Sequence, residues 1–338
     1  MKKLLGTVAL ASSVAYVLKR HTYVTNHVAY DLRNIYSYLP LAIPSPRIMG
    51  MIPASQATVI PERQLVTGTT KRSIVGNSPD ADKQPFEAIL IEPEHRSDLD
   101  GAVLWIHGGG HVVGTAGIDV DRASYLAFQL GIPVLSVDYH QSNAGGQFPG
   151  DHNECYAALR WLQSRADEMN FNPQKIAVSG SSAGRGLAAG IVQRAADEGN
   201  DVAFQALVYP MLDHETTYRS RENDKGRGKI TWTHNANVGA WETYLRDVDR
   251  DNLPAYASPA QYEPVEKLPA TWIGVGDIDL FFEEDKAYAE RLSAAGVETE
   301  FYIADGMYHG ADALAPESPT AQKMVDSLIA AIRRGLSS

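Results

Sequence analysis

The sequence predicts an α/β protein with a mostly parallel central sheet, helices on both faces of that sheet and a helical cap. From residue 86 onward, short β-branched runs alternate with helical patterns. Such alternation is typical of parallel strands that are joined by crossover helices. The chain has 338 residues, of which 44% are hydrophobic and 21% are charged, so it is long enough to bury one large core.

Each predicted element follows from this alternation. The strands are predicted at 86–92, 102–106, 134–137, 176–179, 204–209, 271–275 and 298–303. The helices are predicted at 123–130, 152–169, 183–198, 283–295 and 320–336. The stretch 213–256 is too long for a simple crossover and contains Trp232, Trp241 and Tyr244. We interpret it as a cap insertion within a catalytic domain that covers 73–338.

The N-terminal region is predicted to complete the cap, with 22–72 as a cap region that includes the Pro-rich stretch 40–61. Residues 1–21 have two interpretations. The charged start and the apolar run 4–18 resemble an export signal or an anchor that contacts a membrane. The run is shorter than the roughly 20 residues that span a bilayer, and 19–21 are basic, which favours a cap helix instead. The location of the protein, cytoplasmic or exported and membrane-tethered, depends on this choice.

The charge balance bears on the partners of the protein. Acidic residues outnumber basic residues by 41 to 30, which gives a net charge of −11, and no long Lys/Arg cluster is present. This pattern argues against nucleic-acid binding. The single cysteine, Cys155, cannot form an intrachain disulfide and is expected to be a small buried hydrophobic residue.

A candidate nucleophile follows the predicted strand 176–179. The segment Gly180-Ser181-Ser182-Ala183-Gly184 matches G-x-S-x-G, and a helix rich in small residues comes next. A serine hydroxyl becomes a good nucleophile when a tight strand-to-helix turn exposes it beside a base. An ordinary Gly-rich turn could have the same five residues, and Ser181 is a neighbouring alternative. Ser182 holds the central position and is therefore the predicted nucleophile.

A glycine run, His107-Gly108-Gly109-Gly110, follows the predicted strand 102–106. Glycines there expose backbone N–H groups, which can stabilise an oxyanion without reorganising. We assign this role to the amides of Gly109, Gly110 and Ala183. The run lacks the Lys-Ser/Thr ending of a phosphate-binding loop and the spacing of a dinucleotide fingerprint. No organic cofactor and no metal is therefore expected.

An acid and a base should follow the serine along the chain, each after a strand. His309 is the one histidine of ten that lies past the last predicted strand, so it is the predicted base. The loop after 271–275 contains both Asp277 and Asp279. The acid must stay ionised and hold the imidazole tautomer, and the spacing alone leaves both aspartates open.

From about residue 73 to the C-terminus, the chain resembles the hormone-sensitive-lipase family of bacterial esterases, the α/β-hydrolase fold-3 group. Besides the two motifs, matching segments are 137–139, 148–149, 156–161 and 209–213. The resemblance implies an α/β-hydrolase fold and hydrolysis of small to medium acyl esters through an acyl-enzyme. It favours Asp279, because the second acid of the corresponding loop is catalytic in that family. It also makes a homodimer a prediction, since family members often dimerise.

Three departures from the family pattern concern the site. Arg185 stands where the family usually has a glycine, and we expect its side chain to point outward, because the small residues after it preserve the packing face. The segment 140–146 replaces a loop that usually bears arginine and proline. His111 follows the glycine run where an aromatic or aliphatic residue is common. We expect His111 to alter the polarity of the pocket.

Two other functions use the same scaffold. An amidase, formamidase, deacetylase or lactonase would share the nucleophile, the base and the oxyanion hole. A ligand-binding receptor on a hydrolase scaffold would lack the catalytic histidine. The presence of Ser182, Asp279 and His309 together argues against the receptor.

Overall fold

The computed structural model describes residues 2–39, 62–219 and 225–338, with side chains from residue 15 onward. The Pro-rich stretch 40–61 lies outside the described residues. The strands are β1 Thr69–Asn77, β2 Pro85–Pro93, β3 Ala102–Ile106, β4 Val134–Val137, β5 Ile176–Gly180, β6 Phe204–Val208, β7 Ala270–Gly276 and β8 Thr299–Ala304. The helices are α1 Lys2–His27, α2 Ile35–Tyr38, α3 Val120–Leu130, α4 Gly150–Ser164, α5 Ala183–Glu198, α6 His234–Tyr244, α7 Phe282–Ala294, α8 Ala311–Leu314 and α9 Pro319–Ser337.

The described strands form one eight-stranded sheet in the order β1-β2-β4-β3-β5-β6-β7-β8. Strands β3 to β8 pair in parallel, whereas β2 is antiparallel to both β1 and β4. Every residue of β3, β4, β5 and β6 is buried. Burial on both faces explains why these strands are continuous apolar runs, as is usual in parallel sheets.

Two layers of helices cover the sheet. Helices α3 and α9 contribute to the hydrophobic core on one face, together with residues from 24 to 32. Helices α4, α5 and α7 contribute to the core on the other face, together with the cap insertion. The predicted mostly parallel sheet with helices on both faces is confirmed.

Several element boundaries differ from the sequence-based prediction, most of them by one or two residues, and α3 begins three residues earlier than predicted. Strand β1 was not predicted, and the domain boundary at residue 73 lies inside it. Strand β6 ends at Val208 because Tyr209 has a φ of 38°, outside the range of extended backbone. Helix α4 begins two residues earlier than predicted and ends at Ser164 rather than at 169.

The N-terminal region packs against the loop after β8 and against the cap insertion. The amide of Ala29 donates to the carbonyl of Gly306 at 3.0 Å, and Asn34 Nδ2 donates to the hydroxyl of Tyr308 at 3.2 Å. The hydroxyl of Tyr23 donates to the carbonyl of Gly226 at 2.9 Å. The apolar run 4–18 lies within α1. Of the helices in the described ranges, none is both long and apolar enough to cross a membrane.

Candidate active site

Ser182 sits in a strained turn between β5 and α5. Its backbone has φ 49° and ψ −115°, which non-glycine residues rarely adopt. A Cβ on either Gly180 or Gly184 would overlap the carbonyl oxygen of Ile106 on β3. The two flanking glycines are therefore required by the close approach of β3 to the turn. The strain holds the Ser182 side chain at the end of the sheet, as in a nucleophile elbow.

The structure brings Ser182, His309 and Asp279 together. The Ser182 Oγ lies 2.7 Å from His309 Nε2, and His309 Nδ1 lies 2.8 Å from Asp279 Oδ2. The three residues follow β5, β8 and β7, so they meet at the carboxyl edge of the parallel strands. With Asp279 accepting a hydrogen bond from Nδ1–H, Nε2 carries no proton and is free to accept a hydrogen bond from the Ser182 hydroxyl.

Asp279 is buried and has a second hydrogen bond. Its Oδ1 accepts from the amide of Phe281 at 3.0 Å. This bond fixes the orientation of the carboxylate, so that Oδ2 faces the imidazole of His309.

Asp277 has a different place in the same loop. Its Oδ1 accepts from the amide of Gly306 at 2.7 Å, and the side chain is half-buried. Burial raises the pKa of the Asp277 carboxyl, while the Gly306 amide opposes that shift. The bond ties the loop after β7 to the loop after β8. Of the two aspartates that the spacing left open, the structure places Asp279 beside His309.

The glycine run lies against the nucleophile turn. Gly109 and Gly110 have φ values of 124° and 61°. The loop is supported by Tyr139, which stacks on the buried His107 ring at 4.2 Å and donates its hydroxyl to the His107 carbonyl at 3.0 Å. Ala183 is the first residue of α5, and the first amides of a helix have no helical acceptor.

The cap insertion supplies an aromatic wall beside these residues. The Trp232 ring lies 5.9 Å from the ring of His309 and 6.4 Å from that of Phe281. A Cβ on Gly110 would overlap this indole, so Trp232 packs directly on the glycine run. Thr231 donates its hydroxyl to the His309 carbonyl, which connects the cap to the histidine loop.

His111 forms a buried polar pair under α6. Its Nδ1 lies 2.8 Å from Asp151 Oδ2, and its ring stacks on Tyr244 at 3.9 Å. Burial raises the pKa of Asp151, and the hydrogen bond with His111 opposes this shift. Trp241 lies 6.5 Å from the His111 ring. Of the three aromatic residues singled out in the insertion, Trp232 is beside His309 and the other two surround His111.

The expectation that Arg185 points outward is wrong. The side chain is 2% exposed, and its Nη1 donates to the carbonyl of Val208 at 2.9 Å. The guanidinium lies over the rings of Trp105 and Tyr209 at 5.4 and 5.5 Å. Residues 183–193 of α5 are buried throughout, so the first turns of this helix have no solvent-facing side. The apolar composition of the helix around its whole circumference was the signal that could have predicted this burial.

Sequence reasoning also missed a polar network behind Ser182. The hydroxyl of Ser181 donates to Asp119 Oδ2 at 2.6 Å and accepts from Arg122 Nη1 at 3.0 Å. Arg122 Nη2 lies 3.1 Å from Asp312 Oδ2, and Tyr209 donates its hydroxyl to Asp312 Oδ1 at 2.6 Å. The hydroxyl of Ser181 is thus committed to this network. The described residues include no group of three or more His, Cys, Asp or Glu side chains suited to a metal ion.

Known proteins are similar to this chain in sequence and in fold. Residues 103–313 match a family model described as alpha/beta hydrolase fold. Esterase LipI of Mycobacterium tuberculosis is 30% identical over 232 residues, which are 68% of this chain and 72% of LipI. Carboxylesterase NlhH of Mycobacterium tuberculosis is 31% identical over 238 residues, which are 69% of this chain and 73% of NlhH.

A solved structure described as a bacterial heroin esterase is similar to this chain with a TM-score of 0.80 and 30% identity, and the match covers 92% of this chain and 99% of that one. The family model spans more than half of the 338 residues. The chain therefore belongs to the hormone-sensitive-lipase-like family of the α/β-hydrolase fold.

Proposed function

We propose that the protein is a carboxylesterase in which Ser182 is the nucleophile, His309 the general base and Asp279 the acid that orients it. The observation that carries the proposal is the chain of short contacts, 2.7 Å from Ser182 Oγ to His309 Nε2 and 2.8 Å from His309 Nδ1 to Asp279 Oδ2. The names of the relatives, an esterase and a carboxylesterase, support an ester as the bond that is cleaved.

The geometry supports acyl transfer in two halves. Ser182 Oγ attacks the ester carbonyl while its proton passes to His309 Nε2, and the ionised Asp279 stabilises the imidazolium. The amides of Gly109, Gly110 and Ala183 stabilise the resulting oxyanion. The imidazolium then gives its proton to the leaving alcohol, which departs and leaves an acyl-enzyme. A water then attacks the acyl-enzyme while giving a proton to His309, and His309 returns this proton to Ser182 Oγ as the acid leaves.

The cap limits the size of the acyl group. Trp232 lies against Gly110 and within 5.9 Å of the His309 ring, so a bulky aromatic side chain occupies space beside the reacting carbonyl. We expect esters with acyl chains of about two to eight carbons to be preferred over longer ones, because apolar pockets of limited volume discriminate by size. Faster hydrolysis of emulsified long-chain triglycerides than of butyrate esters would contradict this proposal.

Covalent labelling tests the nucleophile directly. A fluorophosphonate probe should modify Ser182, located by tandem mass spectrometry of the peptide, and Ser182→Ala should lose both the label and ester turnover. Ser181→Ala is the matched control. Its hydroxyl is bound to Asp119 and Arg122, so this variant should still be labelled at Ser182. Labelling of a different serine in the folded protein would show that the assignment is wrong.

A panel of substrates tests which kind of bond the protein hydrolyses. Chromogenic esters of increasing acyl length should be hydrolysed faster than matched amides and lactones. A higher kcat/KM on amides or lactones would replace the carboxylesterase with one of the alternative hydrolases, while leaving the nucleophile assignment intact.

A further inference from the structure

A cavity of about 620 Å³ lies on the face of the sheet that α3 and α9 cover. It reaches from the surface between these helices to the beginning of α5. The residues that line it do not include Ser182, His309, Asp279 or any residue of the glycine run. The cavity is therefore separate from the proposed ester site, although it extends to the scaffold of the nucleophile turn.

The inner end of the cavity contains a buried cation with unused donors. Arg185 lines it, is 2% exposed and makes one hydrogen bond, from Nη1 to the Val208 carbonyl. The Arg185 Nε has no hydrogen-bond partner among the described residues. Burial lowers the pKa of Arg185 to about 10, which leaves the guanidinium charged at neutral pH. Among the described residues, the Arg185 guanidinium forms no ion pair with a carboxylate. A buried charge without an anionic partner is energetically costly.

The nearby carboxylates are already engaged elsewhere. Asp312 holds Arg122 at 3.1 Å and accepts from the Tyr209 hydroxyl at 2.6 Å. Asp119 accepts from the Ser181 hydroxyl at 2.6 Å and from Trp105 Nε1 at 3.3 Å. An anion that entered the cavity would supply the missing partner. The planar guanidinium favours a carboxylate, which it can bind through two parallel hydrogen bonds.

The walls and the mouth of the cavity restrict which anion fits. Leu126, Met324 and Leu328 line the cavity and are apolar, so the apolar tail of a ligand would make dispersion contacts with these side chains. Four acidic residues line the cavity. Asp121 and Asp312 are paired with Arg63 and Arg122, whereas Glu317 and Asp326 are exposed at the mouth. Solvent screens the repulsion between these exposed carboxylates and a ligand that carries one negative charge. A ligand with several negative charges would be repelled more strongly and is disfavoured.

We propose that this cavity binds a monocarboxylate with an alkyl or aryl tail, with the carboxylate on Arg185 and the tail between α3 and α9. The site does not depend on the hydrolytic reaction, and its ligand can be tested by binding alone. The volume lies within the range of about 300–1,000 Å³ that is usual for small-molecule sites.

Calorimetric titration with octanoate tests the proposal. The whole protein should bind octanoate, and it should bind octan-1-ol at least about tenfold more weakly, because the alcohol lacks the charge that Arg185 recognises. Inorganic phosphate should give no heat. Arg185→Met should weaken octanoate binding at least about tenfold. Arg333→Gln is the matched control and should leave the affinity unchanged, since Arg333 lies on α9 outside the cavity and donates to the exposed Gln129 carbonyl.

A second variant keeps the test decisive if Arg185→Met does not fold. Gln322 is an exposed residue at the cavity, and Gln322→Trp should obstruct it and weaken octanoate binding without removing Arg185. A crystal soaked in octanoate should show the carboxylate within hydrogen-bond distance of Arg185.

Binding of octanoate at the ester site is the competing outcome. If Trp232→Ala changes the affinity for octanoate while Gln322→Trp and Arg185→Met leave it unchanged, octanoate occupies the ester site and the proposal is wrong. Absence of binding at about 10 mM octanoate would also overturn it. Neither outcome would bear on the nucleophile, which the fluorophosphonate experiment tests separately.

Discussion

Replacing each aspartate of the β7 loop by asparagine separates a catalytic role from a structural one. In Asp279→Asn the carboxamide can donate its Nδ2–H to His309 Nδ1, which forces the proton onto Nε2. Nε2 is the atom 2.7 Å from the Ser182 hydroxyl, and a protonated Nε2 cannot accept the serine proton. A triad with the wrong tautomer loses about 10⁴ in kcat, which corresponds to roughly 5.4 kcal/mol.

The same change at Asp277 should have a small effect. Its Oδ1 accepts one hydrogen bond, from the Gly306 amide at 2.7 Å, and the carbonyl oxygen of an asparagine can accept that bond as well. The free energy of unfolding should change by no more than about 1 kcal/mol, the usual worth of one such bond. We expect kcat to fall less than about tenfold, because the loop after β8 keeps its tie to β7.

The assay is steady-state hydrolysis of a chromogenic butyrate ester by both variants, together with thermal unfolding to show that each is folded. Fluorophosphonate labelling should slow with Asp279→Asn and remain close to wild type with Asp277→Asn. Equal losses of kcat in two folded variants, or a larger loss for Asp277→Asn, would refute the assignment of Asp279 as the orienting acid.

Three further predictions follow from the site and its surroundings. Trp232→Ala should raise kcat/KM for decanoate esters relative to butyrate esters, because it removes the indole beside Gly110; an unchanged ratio would place the size limit elsewhere. EDTA should leave kcat/KM unchanged, because the proposed mechanism uses no metal, and a loss of activity that zinc restores would contradict that mechanism. Burial lowers the pKa of His152 to about 4 from an ordinary 6.5, so the unfolded state binds this proton first and unfolding free energy should fall between pH 6.5 and 4. His152→Gln should flatten that fall by up to about 3 kcal/mol in chemical unfolding, and an unchanged slope would show that His152 is not the group responsible.

Seven of the eight strands in the described sheet were predicted from the sequence, including the edge strand β8, whereas β1 was not. Strands β3 to β6 are buried throughout, and for this reason their sequences are continuous apolar runs that are easily identified as strands. Strand β1 has β2 as its only neighbour in the sheet, and Thr69 and Ile74 are its buried residues. Strand β8 is also an edge strand, with Ala304 as its one buried residue, but its Phe301-Tyr302-Ile303 run has the residue types that favour strands. Strand β1 instead begins with a polar run, Thr69 to Ser73, and therefore lacks the pattern from which strands are predicted.

Some residues of the site could be predicted from the sequence and others could not. Ser182 and His309 were predicted because each follows a strand, and parallel strands bring their carboxyl ends to one edge. The same reasoning left Asp277 and Asp279 both open, and the resemblance to the family favoured Asp279. Ser181 and Asp119 are 62 residues apart, and Tyr209 and Asp312 are 103 apart, yet both pairs form hydrogen bonds. No motif spans these segments, so their contact depends on how α3 and the loop after β8 pack, which the sequence pattern does not specify.

The position of Arg185 shows which glycines the nucleophile turn requires. At Gly180 and Gly184 any side chain would overlap the Ile106 carbonyl, so those two positions are limited by space. The side chain of Arg185 instead passes Trp105 and Tyr209 and reaches the cavity between α3 and α9, where there is room for it. The cost of an arginine here is therefore the loss of water around its charge and not a clash at the turn. The two rings and the Val208 carbonyl offset part of that cost, and the unpaired Nε marks the part that remains.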